Sequence, residues 1–199
     1  MKTTRALSLI TAALLMAGFA SAQAAKGKAN AAPGWVTLLD GTTLTGWNTI
    51  GTANWKIVDG AAEASSGNGM LVTPVSYANF ELTAEIWVDT PANSGIFIRC
   101  SNPTTINQGN AYEVNIYDNR PDQTYATGAI VDTAPSLVPM KAGGKWNTIE
   151  IRAEGNHLMV TMNGTKTVDV RNDKYASGPI GLQYGAGVVK FRNVKIRTL

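Results

Sequence analysis

The stretch Phe80-Glu81-Leu82-Thr83-Ala84-Glu85-Ile86-Trp87-Val88 alternates apolar and polar side chains along most of its length. Successive side chains of a β-strand point to opposite faces of the sheet. The apolar residues at every second position therefore share one face, and Glu81, Thr83 and Glu85 share the other. This alternation predicts a β-strand whose apolar face packs on the protein core.

The sequence on both sides of this strand consists of further short strand patterns separated by turn signals. Asp59-Gly60 is a strong hairpin signal upstream, and Asn163-Gly164 is the strongest one downstream. No window shows a helical period of apolar residues longer than about two turns. Many short strands at this spacing predict an all-β fold, a sandwich or jelly roll of two antiparallel sheets. The segment from Asn119 to Ser136 is too polar to bury, and loops of that length are usually functional or disordered.

Two predicted strands follow directly, Asn93–Arg99 and Tyr112–Asp118, and a polar loop joins them. If the Ile and Val side chains of these strands face the core, the alternation places Arg99, Glu113 and Asn115 together on the opposite, solvent side. Two opposite charges and an amide on one face could bind a polar ligand. An ordinary solvated face with a cross-strand ion pair would show the same pattern, so spacing leaves both interpretations open.

The start of the chain has the pattern of an export signal. Lys2 and Arg5 precede an apolar run from 6 to 20, and Ala20-Ser21-Ala22 is a small-residue cleavage signal. We expect a signal peptide over residues 1–22, with Ala24 and Ala25 as the alternative cleavage points, and a periplasmic or secreted protein. We expect residues 23–33 to form a flexible lead-in and residues 34–199 to form a single domain.

Charge and composition limit the partners of the mature chain. Lys2 and Arg5 account for two of the 17 basic side chains, which leaves 15 against 14 acidic ones. No basic run is interleaved with aromatic residues, so we predict no nucleic-acid partner. The sequence has no second apolar span after the leader, so we expect no membrane insertion. Cys100 is the only cysteine and His157 the only histidine, which excludes an intramolecular disulfide and a metal site built from several histidines.

A set of short motifs occurs in a defined order from Trp35 to Leu199. They are Leu39-Asp40-Gly41, Gly46-Trp47, Asn93–Arg99, Tyr112-Glu113-Val114, Thr127–Ile130, Gly144–Asn147, Asn163-Gly164, Gly178–Gln183 and Phe191-Arg192-Asn193. Together these motifs resemble the 3-keto-disaccharide hydrolase domain family. The resemblance implies a concanavalin A-like jelly roll of two curved antiparallel sheets, with carbohydrate handled on the concave face.

The resemblance also implies a chemistry. Its substrates are glycosides and disaccharides whose sugar is already oxidised to a ketone at carbon 3, so that a base can remove the hydrogen on carbon 2. The glycosidic oxygen then leaves by β-elimination, and water adds to the double bond. Such a site needs a base, a group that stabilises the enolate oxygen and an acid for the leaving group. A non-catalytic carbohydrate-binding module and an envelope interaction protein of the same fold are the alternatives.

Three residues are the candidates for catalysis. Glu113 is the predicted general base, because a carboxylate on a sheet face can be held against the substrate and tuned by a neighbouring charge. Arg99 is predicted to contact the ketone or enolate oxygen, since a guanidinium supplies positive charge and paired donors. Lys141 matches a recurrent basic position and could reach into the groove.

Five more residues are the candidates for substrate binding. Asn115 and Gln183 lie in phase with Glu113 and suit recognition of hydroxyl groups, whereas Tyr117 and Tyr184 could stack on sugar rings. Asp118, at a strand end, could contact substrate, cap a turn or hold a structural cation. A site with oxygen ligands for calcium or a similar divalent cation stays open, although no loop motif indicates one, and no other cofactor is implied. Family members commonly carry His-Gly shortly after the Leu-Gln pair, where this chain has Tyr184-Gly185, so Tyr184 is also the candidate replacement for that histidine.

Overall fold

A computed structural model describes residues 34–199, and the predicted signal peptide and lead-in lie outside these residues. The described part contains thirteen strands and one 3-10 turn, Gln123–Tyr125. The strands are β1 Val36–Leu39, β2 Asn48–Gly51, β3 Lys56–Val58, β4 Ala61–Ala64, β5 Gly69–Val72, β6 Phe80–Val88, β7 Ser94–Ile98, β8 Tyr112–Ile116, β9 Trp146–Glu154, β10 His157–Met162, β11 Thr165–Arg171, β12 Gly181–Tyr184 and β13 Val189–Thr198. Within 34–199, no helix is long and apolar enough to cross a membrane.

The strands form two antiparallel sheets. The larger sheet has eight strands in the order β11-β10-β9-β6-β13-β4-β3, with β1 also paired to β13. The smaller sheet has five strands in the order β2-β5-β12-β7-β8. Strands distant in sequence are therefore neighbours, as when β12 lies between β5 and β7. The predicted all-β architecture of two packed sheets is confirmed.

The core lies between the inner faces of the two sheets. Every second residue of β6, from Phe80 to Val88, is at most 2% exposed, as the alternation predicts. Ile96 and Ile98 of β7 and Val114 of β8 belong to the same core cluster, although they come from the other sheet. Burying an aliphatic side chain of this kind stabilises a fold by about 1.5–3 kcal/mol relative to leaving it exposed.

Two of the predicted turns have the backbone that their sequences favour. Asp59 and Gly60, between β3 and β4, have φ values of 49° and 76°. Asn163 and Gly164, between β10 and β11, have φ values of 51° and 77°. Positive φ at both central residues is what a two-residue hairpin needs to follow the right-handed twist of its strands.

The long polar segment after β8 covers the free edge of that strand. The Asn115 and Val131 amides donate to the Ala129 and Glu113 carbonyls at 2.9 and 3.0 Å. The Gly128 amide donates back to the Asn115 carbonyl at 2.9 Å. These bonds satisfy the backbone of an edge strand that would otherwise be open to pairing. They also hold this segment close to the outward side chains of β8.

Candidate functional site

The outer face of the five-stranded sheet carries the polar residues that the sequence singles out. In β8, Tyr112, Val114 and Ile116 face the core, so Glu113 and Asn115 point outward. Leu182 of β12 also faces the core, which places Gln183 outward. The residues paired across β7 and β8 are Gly95 with Asn115 and Phe97 with Glu113. Glu113, Asn115 and Gln183 therefore lie on one face of one sheet.

Glu113 is a carboxyl group in a poorly solvated place. Only 5% of the residue is exposed, and its side chain makes no hydrogen bond within the described part of the chain. Burial raises the pKa of Glu113 to about 7, while the positive charge of Arg120 lowers it and Asp132 raises it. A base whose pKa lies near neutral pH is well matched to proton transfer under physiological conditions.

Three polar atoms are buried here without a partner among residues 34–199: Asn115 Oδ1, Gln183 Oε1 and Arg120 Nε. Asn115 is fully buried, and its amide nitrogen already donates to the Tyr125 carbonyl. Leaving a buried polar atom unpaired costs about 1–3 kcal/mol, so such atoms indicate a place where a ligand or solvent completes the hydrogen bonds. We call Glu113, Asn115, Gln183 and Arg120 the Glu113 cluster.

Gly95 gives the Glu113 side chain its space. An ideal Cβ built on Gly95 would lie 3.1 Å from Glu113 Cγ and 3.2 Å from Glu113 Oε1. The carboxyl group therefore lies over β7, on the side toward Gln183. The Ser94 hydroxyl donates to the Gln183 carbonyl at 2.8 Å, which ties β7 to β12 at the same level.

Arg99 does not belong to the Glu113 cluster, so its predicted place beside Glu113 is wrong. Arg99 follows the last residue of β7 with a φ of 54°, which ends the alternation of the strand. The side chain is 1% exposed and donates to three backbone carbonyls: Ala78 at 2.9 and 2.6 Å, Gly155 at 2.8 Å and Tyr175 at 3.3 Å. All of its strong partners are main-chain atoms, so Arg99 joins segments of the fold.

Tyr184 also lies away from the outer face, so the prediction that it stacks on a sugar or replaces a histidine there is wrong. It follows the outward Gln183 in β12 and therefore points into the core, where it is 4% exposed. Its ring contacts Trp55 edge-on, with 6.4 Å between centroids. Its hydroxyl donates to the Gly187 carbonyl at 3.0 Å.

Asp118 and Lys141 meet at the end of β8. The Asp118 carboxylate accepts from the Thr127 hydroxyl at 2.6 Å and from the amides of Ala142 and Gly143 at 2.9–3.0 Å. The Lys141 ammonium donates to the Asp118 carbonyl at 2.6 Å. Asp118 thus caps the 142–143 turn, the structural alternative in the sequence interpretation. Tyr117, half-buried, is the first residue after β8.

The remaining reactive side chains lie elsewhere or are inert. His157 is in β10 of the eight-stranded sheet, with Nε2 2.7 Å from an Asp169 carboxylate oxygen. Burial raises the pKa of the Cys100 thiol to about 12, so the thiol stays protonated at neutral pH. Residues 34–199 contain no group of three or more His, Cys, Asp or Glu side chains placed to hold a metal ion.

Sequence reasoning missed Arg120 and Gly95. Arg120 lies in the long segment between β8 and β9, and the only signal for it was that loops of this length are usually functional. Gly95 precedes the apolar part of β7, and its role depends on a side chain from the neighbouring strand.

The two packed antiparallel sheets define a jelly-roll protein, and the outer face of its five-stranded sheet carries a buried carboxyl group. The family model described as 3-keto-alpha-glucoside-1,2-lyase-like domain matches residues 34–197, and the chain belongs to this family. It is 31% identical over 153 residues to a 3-keto-disaccharide hydrolase of Bacteroides thetaiotaomicron. That match covers 60% of this chain and 52% of the relative, so the chain spans about half the length of the curated protein. Membership of this family supports a carbohydrate-active function.

Solved structures show the same fold. Two glycosyl hydrolase candidates from Parabacteroides distasonis match with TM-scores of 0.76 and 0.71 at 18% and 26% identity. Each match covers 83% of this chain, and 94% and 100% of the respective structures. The carbohydrate-binding module CBM66 of Bacillus subtilis matches at 18% identity with a TM-score of 0.62, covering 77% of this chain and 96% of the module. The predicted jelly-roll fold is confirmed.

Proposed function

We propose that this chain cleaves 3-keto-glycosides by β-elimination followed by hydration, at the Glu113 cluster. The observation that carries the proposal is a carboxyl group with a pKa of about 7, placed on a sheet face beside three buried polar atoms without partners. Family membership and the name of the Bacteroides thetaiotaomicron relative support a saccharide oxidised at carbon 3 as the substrate.

In the first step, the Glu113 carboxylate accepts the proton from carbon 2 of the keto sugar. The electrons of that C–H bond form an enolate, whose negative charge lies on the oxygen at carbon 3. Arg120 takes the role that the sequence assigned to Arg99, because its charge acts on the Glu113 site and its buried Nε has no partner within 34–199. A fixed cation near the enolate oxygen stabilises the charge that develops in the transition state.

In the second step, the ketone re-forms and the bond between carbon 1 and the glycosidic oxygen breaks. A double bond then joins carbons 1 and 2, and the leaving oxygen takes a proton. In the third step water adds across this bond, with hydroxyl at carbon 1 and, at carbon 2, a proton from Glu113 after the carboxyl has exchanged its proton with solvent. One water is consumed, and the products are the 3-keto sugar and the free alcohol.

In this proposal the other predicted residues bind the substrate, supply a proton or hold the site in place. Asn115 Oδ1 and Gln183 Oε1 are free acceptors, so they suit sugar hydroxyls as donors. Tyr117 continues the chain from β8 and is the proposed stacking side chain. Lys141 is the proposed acid for the leaving group. Asp118 acts by holding Lys141 and the 142–143 turn in place.

The proposed location is the periplasm or the exterior of a bacterial cell. The reason is the leader-like sequence of residues 1–22, which lies outside the described residues. Fractionation of cells that express the full chain, with detection of the mature form, tests this proposal.

The direct test is incubation of the purified mature chain with 3-keto-trehalose in D₂O, with the products followed by mass spectrometry. We expect release of glucose and of 3-keto-glucose that carries one carbon-bound deuterium, because elimination replaces the hydrogen at carbon 2. Free 3-keto-glucose in the same buffer measures background exchange. Glu113→Gln should abolish release, whereas Glu154→Gln, the same change at an exposed position of β9, should not. Release without deuterium, or release by Glu113→Gln, would contradict the mechanism.

A non-catalytic carbohydrate-binding module is the second candidate. The observation that favours it is Tyr184, which stands in the region where the family resemblance implies a histidine and is buried in the core. A binding module would retain 3-keto-trehalose or trehalose in calorimetry without releasing product, and Glu113→Gln would leave its affinity nearly unchanged.

A further inference from the structure

We propose that a groove on the outer face of the eight-stranded sheet is a second site, and that its ligand is a neutral saccharide. The groove has a volume of about 440 Å³, within the range of small-ligand sites. Its lining includes Trp35, Thr83, Glu150, Met159, Thr161 and Lys166. We call it the Trp35 groove.

The floor of the groove is a row of polar side chains from three neighbouring strands. Thr83 of β6 pairs with Glu150 of β9, and Glu150 pairs with Thr161 of β10. Neighbouring strands lie about 4.8 Å apart, so the row places a carboxylate between two hydroxyl groups over about 10 Å. That length is close to the size of a disaccharide.

Glu150 differs from the other acidic residues of this sheet face. The others are in ion pairs: Glu63 with Lys190 at 2.9 Å, Glu81 with Arg152 and Arg197, Glu85 with Arg192 at 2.7 Å, Glu154 with Arg152 at 2.6 Å, and Asp169 with Lys166 at 2.6 Å. Within residues 34–199, Glu150 forms neither an ion pair nor a hydrogen bond, and the Thr83 and Thr161 hydroxyls form no hydrogen bond. The floor thus offers three polar groups that the fold does not use.

Trp35 supplies an aromatic surface at the edge of this floor. The residue is 46% exposed, although β1 holds its neighbour Val36 opposite Ile196 of β13. The Arg197 guanidinium lies 5.1 Å from the ring centroid, so the indole lies beside β13 of the sheet. An exposed indole next to a carboxylate and hydroxyls fits a pyranose, whose C–H face packs on the ring and whose hydroxyls donate to the carboxylate.

The charges of the lining argue for a neutral ligand. The charged side chains of the lining are two acidic ones, Glu81 and Glu150, and two basic ones, Arg152 and Lys166. Glu81 and Arg152 are paired with each other, and Lys166 is paired with Asp169. A strongly charged ligand would meet no net opposite charge here. The groove and the Glu113 cluster are on the outer faces of different sheets, with the core between them, so both could be occupied at once.

The test is a titration of the ¹⁵N-labelled mature chain with neutral tetrasaccharides, followed by NMR. The probes are maltotetraose, cellotetraose, galactotetraose and mannotetraose at millimolar concentrations. We expect saturable shifts of the Trp35 indole N–H and of the backbone amides of Thr83, Glu150 and Thr161 with at least one probe. Trp35→Ala should weaken that binding about tenfold, because the stacking surface is lost.

Three variants make the result specific. Glu150→Gln changes one exposed side chain, should fold normally, and should also weaken binding. Trp146→Ala removes another exposed indole of the same sheet face, outside the groove, and should leave the affinity unchanged. Glu113→Gln should leave it unchanged because Glu113 is on the other sheet. Absence of saturable shifts with all four probes would overturn the proposal. Binding by Trp35→Ala and by Glu150→Gln with the affinity of the wild type would also overturn it.

Discussion

Glu113 is a carboxyl group in a position where its charged form is costly. Burial in the outer face of a sheet removes most of its contact with water, and the opposite charge of Arg120 compensates only in part. An ordinary surface glutamate would be fully ionised at neutral pH. Retaining such a residue costs folding stability, and the general-base role that we propose for Glu113 would account for that cost.

The first prediction concerns the pH dependence of activity. The ionised form of Glu113 is the base, so kcat/KM for 3-keto-trehalose should rise with pH through about 7, the pKa of this carboxyl in the free protein. Arg120→Gln removes a charge that lowers this pKa, so the midpoint of the profile should move to higher pH and the rate should fall. Initial rates over a pH series check both. A rate that is flat through neutral pH would contradict the assignment.

The second prediction concerns stability at the same residue. The pKa of Glu113 is raised from 4.5 to about 7 on folding. The contribution of this carboxyl to the free energy of unfolding is therefore fully present below pH 4.5 and is lost as the pH rises through about 7. At about 1.36 kcal/mol per pKa unit, the loss is on the order of 3 kcal/mol. Glu113→Gln lacks this loss and should exceed wild type by up to that amount in mildly alkaline buffer, but not in acid.

Urea unfolding of both proteins at acidic and at mildly alkaline pH measures this difference. Glu154→Gln is the matched control, because the Glu154 side chain is exposed. Parallel pH profiles for wild type and Glu113→Gln would show that burial does not perturb the carboxyl.

At the scale of strands and turns, β7 positions the Glu113 side chain of β8 by having no side chain of its own at Gly95. Gly95→Ala would place a Cβ 3.1–3.2 Å from Glu113 Cγ and Oε1 and 3.3 Å from the Val114 main-chain oxygen, so the Glu113 side chain would have to shift by a few tenths of an ångström. Displacement of a catalytic group by about 1 Å can cost on the order of a hundredfold in rate. We expect a drop of at least about tenfold in kcat with little change in the urea midpoint. Gly34→Ala, where a Cβ meets no atom within 4 Å, is the control. Unchanged kcat in Gly95→Ala would contradict this role of Gly95.

The turn after the long polar segment depends on Asp118. Its two carboxylate oxygens accept from the Thr127 hydroxyl and from the amides of Ala142 and Gly143. Asp118→Asn replaces one acceptor oxygen by a donor, so a buried amide loses its partner at a cost of about 1–3 kcal/mol. Urea unfolding should show this loss, and hydrogen exchange should become faster at Ala142 and Gly143. Unaltered exchange at these two amides would exclude the capping role.

At the scale of the whole molecule, Arg99 joins three chain segments to the end of β7. Ala78 precedes β6, Gly155 lies between β9 and β10, and Tyr175 lies between β11 and β12. One guanidinium therefore links the five-stranded sheet to connections of the eight-stranded sheet. We expect Arg99→Met to lower the free energy of unfolding by about 3 kcal/mol or more, since several buried carbonyls lose their donor.

Activity separates this structural role of Arg99 from a catalytic one. The rate per folded molecule of Arg99→Met, measured well below its melting temperature, should stay close to that of wild type. A catalytic Arg99 would instead show a large loss of kcat in protein that is still folded.

The two outer faces of the molecule have different chemistry. The outer face of the five-stranded sheet buries its polar atoms and leaves several of them unpaired. The outer face of the eight-stranded sheet pairs most of its charges across strands, as in the Arg192–Glu85 pair at 2.7 Å, and Glu150 is the one acidic residue of its strands without an ionic partner among residues 34–199. The first arrangement fits a reactive site and the second fits a solvated surface with one binding groove.

Much of this fold and part of its site follow from local patterns in the sequence. The alternation from Phe80 to Val88 determined which face of β6 is buried, and dipeptides such as Asn163-Gly164 determined where hairpins turn. The same alternation places Glu113 and Asn115 outward, because side chains in a regular strand change face at every residue. It also places Tyr184 inward once Gln183 points outward, which is inconsistent with the prediction that Tyr184 replaces a histidine on the outer face.

The tertiary structure decided what local alternation does not encode. Arg99 leaves the face of Glu113 because its backbone has a φ of 54° at the strand end, where distant carbonyls can receive its guanidinium. Arg120 joins the Glu113 cluster because the segment that carries it returns along the edge of β8. Alternation along a strand depends on neighbouring residues and can be read locally. The partners of a side chain depend on which distant segments pack together, and only the folded chain determines that.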